Sequence, residues 1–161
     1  MATTTDKIAY AGSTAITITA PASSVTAGQC SAAVDNTANL YVDALVMVQV
    51  VNPAGAPAND KGYYIYVYGS QDGTNYNIST NEMATPGTNA ACTPDVPTNL
   101  LGPVFMNAGT ASKTFTYVIG STASFFGGVM PLKWGVVIRN YSGNTATTLT
   151  ESYTGITYTN S

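Results

Sequence analysis

Apolar and polar residues alternate along most of this chain with the two-residue period of β-strands. Over residues 63–69, three tyrosines share one face and three other apolar side chains share the opposite face. Residues 39–51 form a nearly continuous apolar run, which is typical of a central strand covered on both faces. Further strands are predicted over residues 14–19, 29–34, 113–119 and 132–140, with a C-terminal pair within residues 147–159.

The spacing of these strands predicts the fold. The dipeptide Asp72-Gly73 follows the 63–69 strand and favours a tight hairpin turn into another strand over residues 74–78, because it tolerates positive φ. The usual helix formers are scarce, whereas β-branched and aromatic residues dominate. About eight strands are expected in total, which predicts an all-β chain folded as a single-domain antiparallel β-sandwich of the jelly-roll kind.

Two segments lack a strand pattern. Residues 1–12 are rich in threonine and have no clear period, as suits an extended N-terminal arm that becomes ordered on a neighbouring molecule. The sandwich domain then occupies residues 13–161. Within it, residues 79–103 contain four prolines, and each one removes a backbone donor. This stretch is predicted to be a long loop, for which clasping a partner and simple flexibility are equally good interpretations.

The charge balance narrows the range of partners. Charged residues make up 8% of the 161 residues, and the net charge is -3, so no basic field is available for nucleic acid. The longest apolar run is far shorter than the roughly 20 residues that cross a bilayer, so no membrane partner is expected. No basic segment precedes an apolar one at the N-terminus, which favours synthesis and retention in a cytoplasm.

Catalytic chemistry is poorly represented. Histidine is absent, which removes the commonest general base and every Ser-His or Cys-His arrangement. A catalytic pair of carboxylates needs no histidine, but the spacing of the Asp and Glu residues along the chain does not indicate such a pair. Asp43 interrupts an apolar strand, and a structural role for it is favoured over a catalytic one. No enzymatic activity is expected.

Metal-binding patterns are equally weak. Asp72, Asn75 and Asn77 are possible calcium ligands by type, but Met83 stands where an EF-hand requires a bidentate glutamate. The hairpin turn is the better explanation of this polar cluster. The two cysteines, Cys30 and Cys92, have no second ligand pair for zinc and are expected to be buried free thiols. No cofactor is therefore expected.

The surface chemistry favours contact with other proteins. Hydroxyls, amides and 11 tyrosines replace charges, and such a surface tolerates packing against neighbours. Tyrosine is also enriched at interfaces, so the tyrosine face of the 63–69 strand is either half of the core, the favoured interpretation, or a contact surface. The candidate partner-contacting residues lie on the arm, on this face and in the proline-containing loop: Thr3, Thr4, Thr5, Tyr64, Tyr66, Tyr68, Pro86, Pro94 and Pro97.

Four stretches share their order and character with a known class of proteins. They are AGQCSAAVDNTANLYVDALVMVQVV (27–51), YIYVYGSQDGTNY (64–76), FFGGVMPLKWGVVIRNYSG (125–143) and YTGITYT (153–159). Together they resemble tailed-bacteriophage virion proteins of the capsid decoration or cement type. The resemblance implies a β-sandwich on the capsid exterior that is made in the host cytoplasm. Its implied partners are the major capsid protein and further copies of itself, with a trimer favoured over a dimer.

Two other functions compete with this interpretation. A tail or fibre module that binds host carbohydrate is the first, because exposed tyrosines and Trp134 can stack on sugars. A hydrolase that uses two acids ranks last. The decoration role implied by the resemblance is bridging neighbouring capsomers and stabilising the head, with no catalytic residue.

Overall fold

The computed structural model describes residues 6–22, 27–55, 61–93 and 99–160. Within these ranges the chain forms eleven strands and one short 3₁₀ helix, Ala123–Phe126. The strands are β1 (Asp6–Tyr10), β2 (Thr14–Ile16), β3 (Gly28–Cys30), β4 (Val34–Asp35), β5 (Asp43–Val51), β6 (Gly62–Ser70), β7 (Ala90–Cys92), β8 (Leu101–Asn107), β9 (Thr114–Ser121), β10 (Lys133–Asn140) and β11 (Thr148–Asn160).

The strands form two antiparallel sheets. The first sheet has the order β1-β11-β5-β9, with β2 also paired to β11. The second has the order β7-β3-β10-β6-β8, with β4 also paired to β10. The inner faces of both sheets bury one apolar core, in which Val46 and Val48 of the first sheet join Trp134 and Ile138 of the second. The predicted all-β, single-domain antiparallel β-sandwich is therefore confirmed.

The strands differ from the predicted set at several places. Strands of two or three residues, such as β4 and β7, contain too few positions to show a period. At the C-terminus, the predicted pair of strands is wrong, because residues 148–160 form the single long strand β11. Different parts of β11 pair with β5, β2 and β1.

The expectation that residues 39–51 are covered on both faces is wrong. Strand β5 begins at Asp43 and is central in the first sheet, between β11 and β9. Its inward side chains are fully buried, but Met47 on the outer face is 40% exposed. An apolar run shows that a strand tolerates cover on both faces, whereas the arrangement of the rest of the chain determines whether cover is present.

Strand β6 is covered on both faces instead. Tyr63 and Ile65 point into the core between the sheets. Tyr66 and Tyr68 point to the opposite side, where the connection between β6 and β8 folds back over the second sheet. We call this the second cluster. Its buried residues come from the second sheet and from the connection that covers it: Cys30, Tyr66, Tyr68, Ile78, Met83, Cys92, Leu100 and Val137.

The hairpin predicted at Asp72-Gly73 is also wrong, although a turn is present. Gly73 has a φ of 77°, and the Asp72 carboxylate accepts hydrogen bonds from the backbone N–H of Thr74 and Asn75. The following residues form no strand, because this side-chain-stabilised turn redirects the chain. Asn77 then holds the chain against the sheet, accepting a 2.7 Å hydrogen bond from the Gly69 N–H.

The two segments predicted to lack strands contain some regular structure. The described part of the N-terminal segment includes β1, which pairs with residues 156–160 of the same chain. The predicted 79–103 loop includes β7 and the start of β8. Strand β8 is at the edge of the second sheet, a position that tolerates the proline at residue 103.

Candidate functional site: two exposed surfaces

Four of the predicted contact residues lie in the described part of the chain, and none of the four is fully exposed. Thr3, Thr4, Thr5, Pro94 and Pro97 lie outside the described residues. Pro86 is half-buried in the cover of the second sheet, and Tyr64 is half-buried on the same face. Tyr66 and Tyr68 are buried.

Tyr68 shows why part of the tyrosine face cannot serve as a contact surface. Its side chain is fully buried, and its hydroxyl donates a 2.7 Å hydrogen bond to the carbonyl oxygen of Ser31. Its ring lies over Gly135, where a Cβ atom would come within 2.6 Å of the ring. Burial raises the pKa of the Tyr68 phenol. The interface prediction for Tyr66 and Tyr68 is corrected accordingly, because the chain's own cover buries them. The favoured interpretation of this face was correct about burial but not about place, since the two tyrosines lie on the outer face of the second sheet and not between the sheets.

Tyr64 belongs to a partly exposed aromatic cluster on the outer face of the second sheet. Its ring centroid lies 5.0 Å from that of Phe105 and 5.6 Å from that of Tyr141. The Lys61 ammonium lies 4.2 Å from the centroid of the Tyr141 ring, a cation–π contact. Arg139 is opposite Tyr64 in the strand register. We call Tyr64, Phe105 and Tyr141 the aromatic patch.

A larger exposed surface lies on the outer face of the first sheet. Met47 and Val118 are directly opposite each other in register, and both are exposed. The same face continues along β11 and onto β1, where Ile8 is opposite Tyr158 and Tyr10 is opposite Ile156. We call this surface the open apolar face, consisting of Ile8, Tyr10, Met47, Val118, Ile156 and Tyr158.

A groove of about 450 Å³ adjoins the open apolar face. Its walls include Ile8, Tyr10 and Val42, with Asp43 at one side. The Asp43 carboxylate accepts 2.8 Å hydrogen bonds from the backbone N–H groups of Ala44 and Ala123. Asp43 therefore joins the 3₁₀ helix to β5, which agrees with the structural role predicted for it.

Glu151 is the most unusual titratable group. It is 3% exposed on the inner face of β11, and among the described residues neither of its carboxyl oxygens has a hydrogen-bond partner. Burial raises its pKa to about 8. The alternation of β11 reveals this burial in hindsight, because Leu149, Glu151 and Tyr153 share one face and both neighbours are apolar.

Several other carboxylates stabilise the local backbone by accepting hydrogen bonds from nearby residues. Asp35 accepts hydrogen bonds from the backbone and hydroxyl of Thr37, which lower its pKa. Glu82 and Ser79 form reciprocal bonds of the capping-box type. In the described part of the chain, no three Asp, Glu or Cys side chains cluster as metal ligands would.

The cysteines are free and buried, as predicted. Both thiols lie in the second cluster, and the proximity of Cys92 together with burial raises the pKa of the Cys30 thiol. Strand β3 pairs with β7 here, so the two thiols lie beneath the cover of the second sheet.

Comparison with known proteins identifies no relative of this chain. No protein-family model matches the chain, and a search of curated proteins finds no match. Across residues 6–22, 27–55, 61–93 and 99–160, the structure contains no helix with the length and apolar character needed to cross a membrane.

Sequence reasoning missed most of the exposed surface. The apolar run of residues 39–51 predicts cover for Met47, and Phe105 lies close to a proline that argues against a strand. Ile156 and Tyr158 continue the two-residue alternation of β11 beyond β5, so that signal was present in the sequence. Which face of each strand is exposed depends on the sheets' packing.

Proposed function

We propose that this chain is a non-enzymatic bacteriophage virion protein that decorates the capsid exterior and bridges neighbouring capsomers of the major capsid protein. The open apolar face carries this proposal. Several large apolar side chains exposed on one face of a folded domain are typical of a protein-binding site. Met47 is 40% exposed and Tyr158 is 65% exposed, although both side chains are large and apolar.

The low charge of the chain supports the same role. The centres of protein interfaces are depleted in charged residues and enriched in aromatic residues and methionine. Charged residues are 8% of this sequence, and the open apolar face combines Met47 with Tyr10 and Tyr158. Binding across a seam between capsomers stabilises the assembled shell by mass action, because the complete site exists only there.

Binding to undecorated heads tests the proposal. We expect saturable binding by the purified chain and a higher temperature of head disruption. Met47→Lys places a charge on the open apolar face and should weaken binding at least tenfold, which corresponds to about 1.4 kcal/mol. Leu132→Lys is the matched control, because Leu132 is also 40% exposed but lies outside that face. Absence of binding, or equal loss in both variants, contradicts the proposal.

A tail or fibre module that binds host carbohydrate is the second candidate. Trp134 no longer supports it, because that side chain is fully buried between the sheets and cannot stack on a sugar. The aromatic patch supports it instead, since Phe105 is exposed beside Tyr64 and Tyr141. Glycan-array binding that Phe105→Ala abolishes and Val118→Ala preserves, without affinity for heads, would favour this function.

A further inference from the structure

We infer that one edge of β1 docks against the same edge of a second copy of this chain, joining two first sheets into one continuous antiparallel sheet. We call it the free edge, because it pairs with no strand in the part of the chain that the structure describes. This inference concerns the purified chain and does not depend on the proposed capsid function. Its evidence is the hydrogen-bonding pattern of β1 and the apolar residues beside it.

The N-terminal strand is part of a two-stranded ribbon. The pairing of β5 with β11 ends at the pair Asp43 and Ile156. Beyond that pair, the described residues of β11 continue to residue 160 with β1 as their strand partner. Two-stranded ribbons are marginally stable by themselves, because neither face nor edge is covered. A third strand on the β1 edge would complete this part of the sheet.

The antiparallel ladder determines which backbone groups point to that edge. The Ala11 N–H donates a 2.8 Å hydrogen bond to the Gly155 carbonyl oxygen. Hydrogen-bonded and non-hydrogen-bonded pairs alternate in an antiparallel ladder, so residues 9 and 7 also bond to β11. The backbone N–H and C=O groups of Asp6, Ile8 and Tyr10 therefore point away from β11, toward the free edge.

These free groups match a two-fold symmetric pairing of two β1 strands. With the axis at Ile8, each Ile8 is opposite Ile8 of the second copy, and each Asp6 is opposite Tyr10. All of these residues have outward-pointing backbone groups, so every pair exchanges main-chain hydrogen bonds. Lys7 is then opposite Ala9. Centring the axis on Lys7 instead would place two ammonium groups directly opposite each other, which is unfavourable.

The outer-face side chains favour the same register. Ile8 is 58% exposed and Tyr158, its register partner on β11, is 65% exposed. In the symmetric pair these residues form one apolar row across the seam, from Tyr158 of one copy through both Ile8 side chains to Tyr158 of the other. Burial of this row adds apolar stabilisation to the backbone bonds. Proline residues and β-bulges prevent an edge strand from pairing with another chain. Strand β1 contains no proline, and its register with β11 has no bulge.

A second copy is the favoured occupant because this edge is self-complementary. Two-fold pairing uses the same surface on both copies and closes as a dimer. The trimer implied by the sequence resemblance would need a head-to-tail contact between different surfaces. The oligomeric state of the purified chain therefore distinguishes the two arrangements.

The test is light scattering of the full chain over a range of micromolar concentrations. We expect a dimer. Ile8→Pro removes an N–H that points to the free edge but leaves the bonds between β1 and β11, so it should weaken dimerisation at least tenfold. Ile8→Lys, which keeps every backbone donor, should weaken it through charge and lost apolar contact. Val118→Ser is the matched control, because it removes an exposed apolar side chain from β9, the edge strand at the other end of the same sheet.

Hydrogen exchange provides an independent measurement. In the wild type, the amide protection of Asp6, Ile8 and Tyr10 should increase with protein concentration. In Ile8→Pro, the protection of Asp6 and Tyr10 should be independent of protein concentration. Circular dichroism establishes that each variant is folded. A wild-type monomer or trimer, a dimer unaffected by both Ile8 substitutions, or equal loss in Val118→Ser overturns the inference.

Discussion

The outer faces of the two sheets differ in their cover. On the second sheet, the connection after β6 folds back and buries Tyr66 and Tyr68 together with its own Met83. On the first sheet, Met47 of the central strand β5 and Val118 of the neighbouring edge strand β9 are exposed. Both sheets have apolar residues on their outer faces, so hydrophobicity does not explain the difference. Connections that cross a sheet determine which apolar face becomes core and which is available to a partner.

Two methionines provide the strongest test of this comparison. Met83 is 1% exposed in the cover of the second sheet, whereas Met47 is 40% exposed on the first. Met83→Ala should lower the free energy of unfolding by about 2–5 kcal/mol, because it leaves a cavity in a packed cluster. Met47→Ala should change it by about 0.5 kcal/mol or less. Denaturant titration measures both, and equal effects would show that the cover contributes no packing.

Two glycines test the closeness of packing. A Cβ atom at Gly135 would lie 2.6 Å from the Tyr68 ring, whereas at Gly120 on the first sheet it would meet nothing within 4 Å. Gly135→Ala should therefore destabilise the protein by about 1–3 kcal/mol through overpacking. Gly120→Ala should remain within about 0.5 kcal/mol of the wild type. A neutral Gly135→Ala in thermal unfolding would mean that Tyr68 moves freely.

The inner face of the first sheet introduces a pH dependence. Burial raises the pKa of Glu151 from 4.5 to about 8, so the folded state retains a proton that the unfolded state releases. Stability should fall as pH rises from 4.5 to 8 and should be independent of this group outside that range. Glu151→Gln should abolish this pH-dependent fall in stability, because glutamine does not ionise.

Unfolding at two pH values measures the effect of Glu151. Between pH 6.5 and 7.5, the stability of the wild type relative to Glu151→Gln should fall by about 1.2 kcal/mol. Asp6→Asn, a change to an exposed carboxyl group on β1, corrects for the general loss of charge. A constant difference between wild type and Glu151→Gln would show that Glu151 does not hold a proton in the fold.

The smallest effect is expected on the open apolar face. Val118→Thr should change the free energy of unfolding by about 0.5 kcal/mol or less, since Val118 is 56% exposed. The same substitution at Val137, which is fully buried on the outer face of the second sheet, places a hydroxyl in an apolar cluster and should cost about 1–3 kcal/mol. Similar melting temperatures for the two variants would contradict the difference between the faces.

The sequence predicted the strand content and class of the fold well. The alternation over residues 63–69 and 132–140 corresponds to β6 and β10, the central strands of the second sheet. Their pairing with other strands is less accessible, because β4 and β7 are too short to show a period. The turn at Asp72 was also predicted, but its direction depends on side-chain bonds made by Asp72 and Asn77.

The sequence alone determined which residues share a face, because that alternation is a local property of the extended backbone. It placed Tyr64, Tyr66 and Tyr68 on one side of β6, and the structure agrees. Only the tertiary structure decided that two of these tyrosines are buried, and that the outer face of β5 is open. Cover is made by segments distant along the chain, such as the one carrying Met83, and its position depends on the packing of the whole molecule.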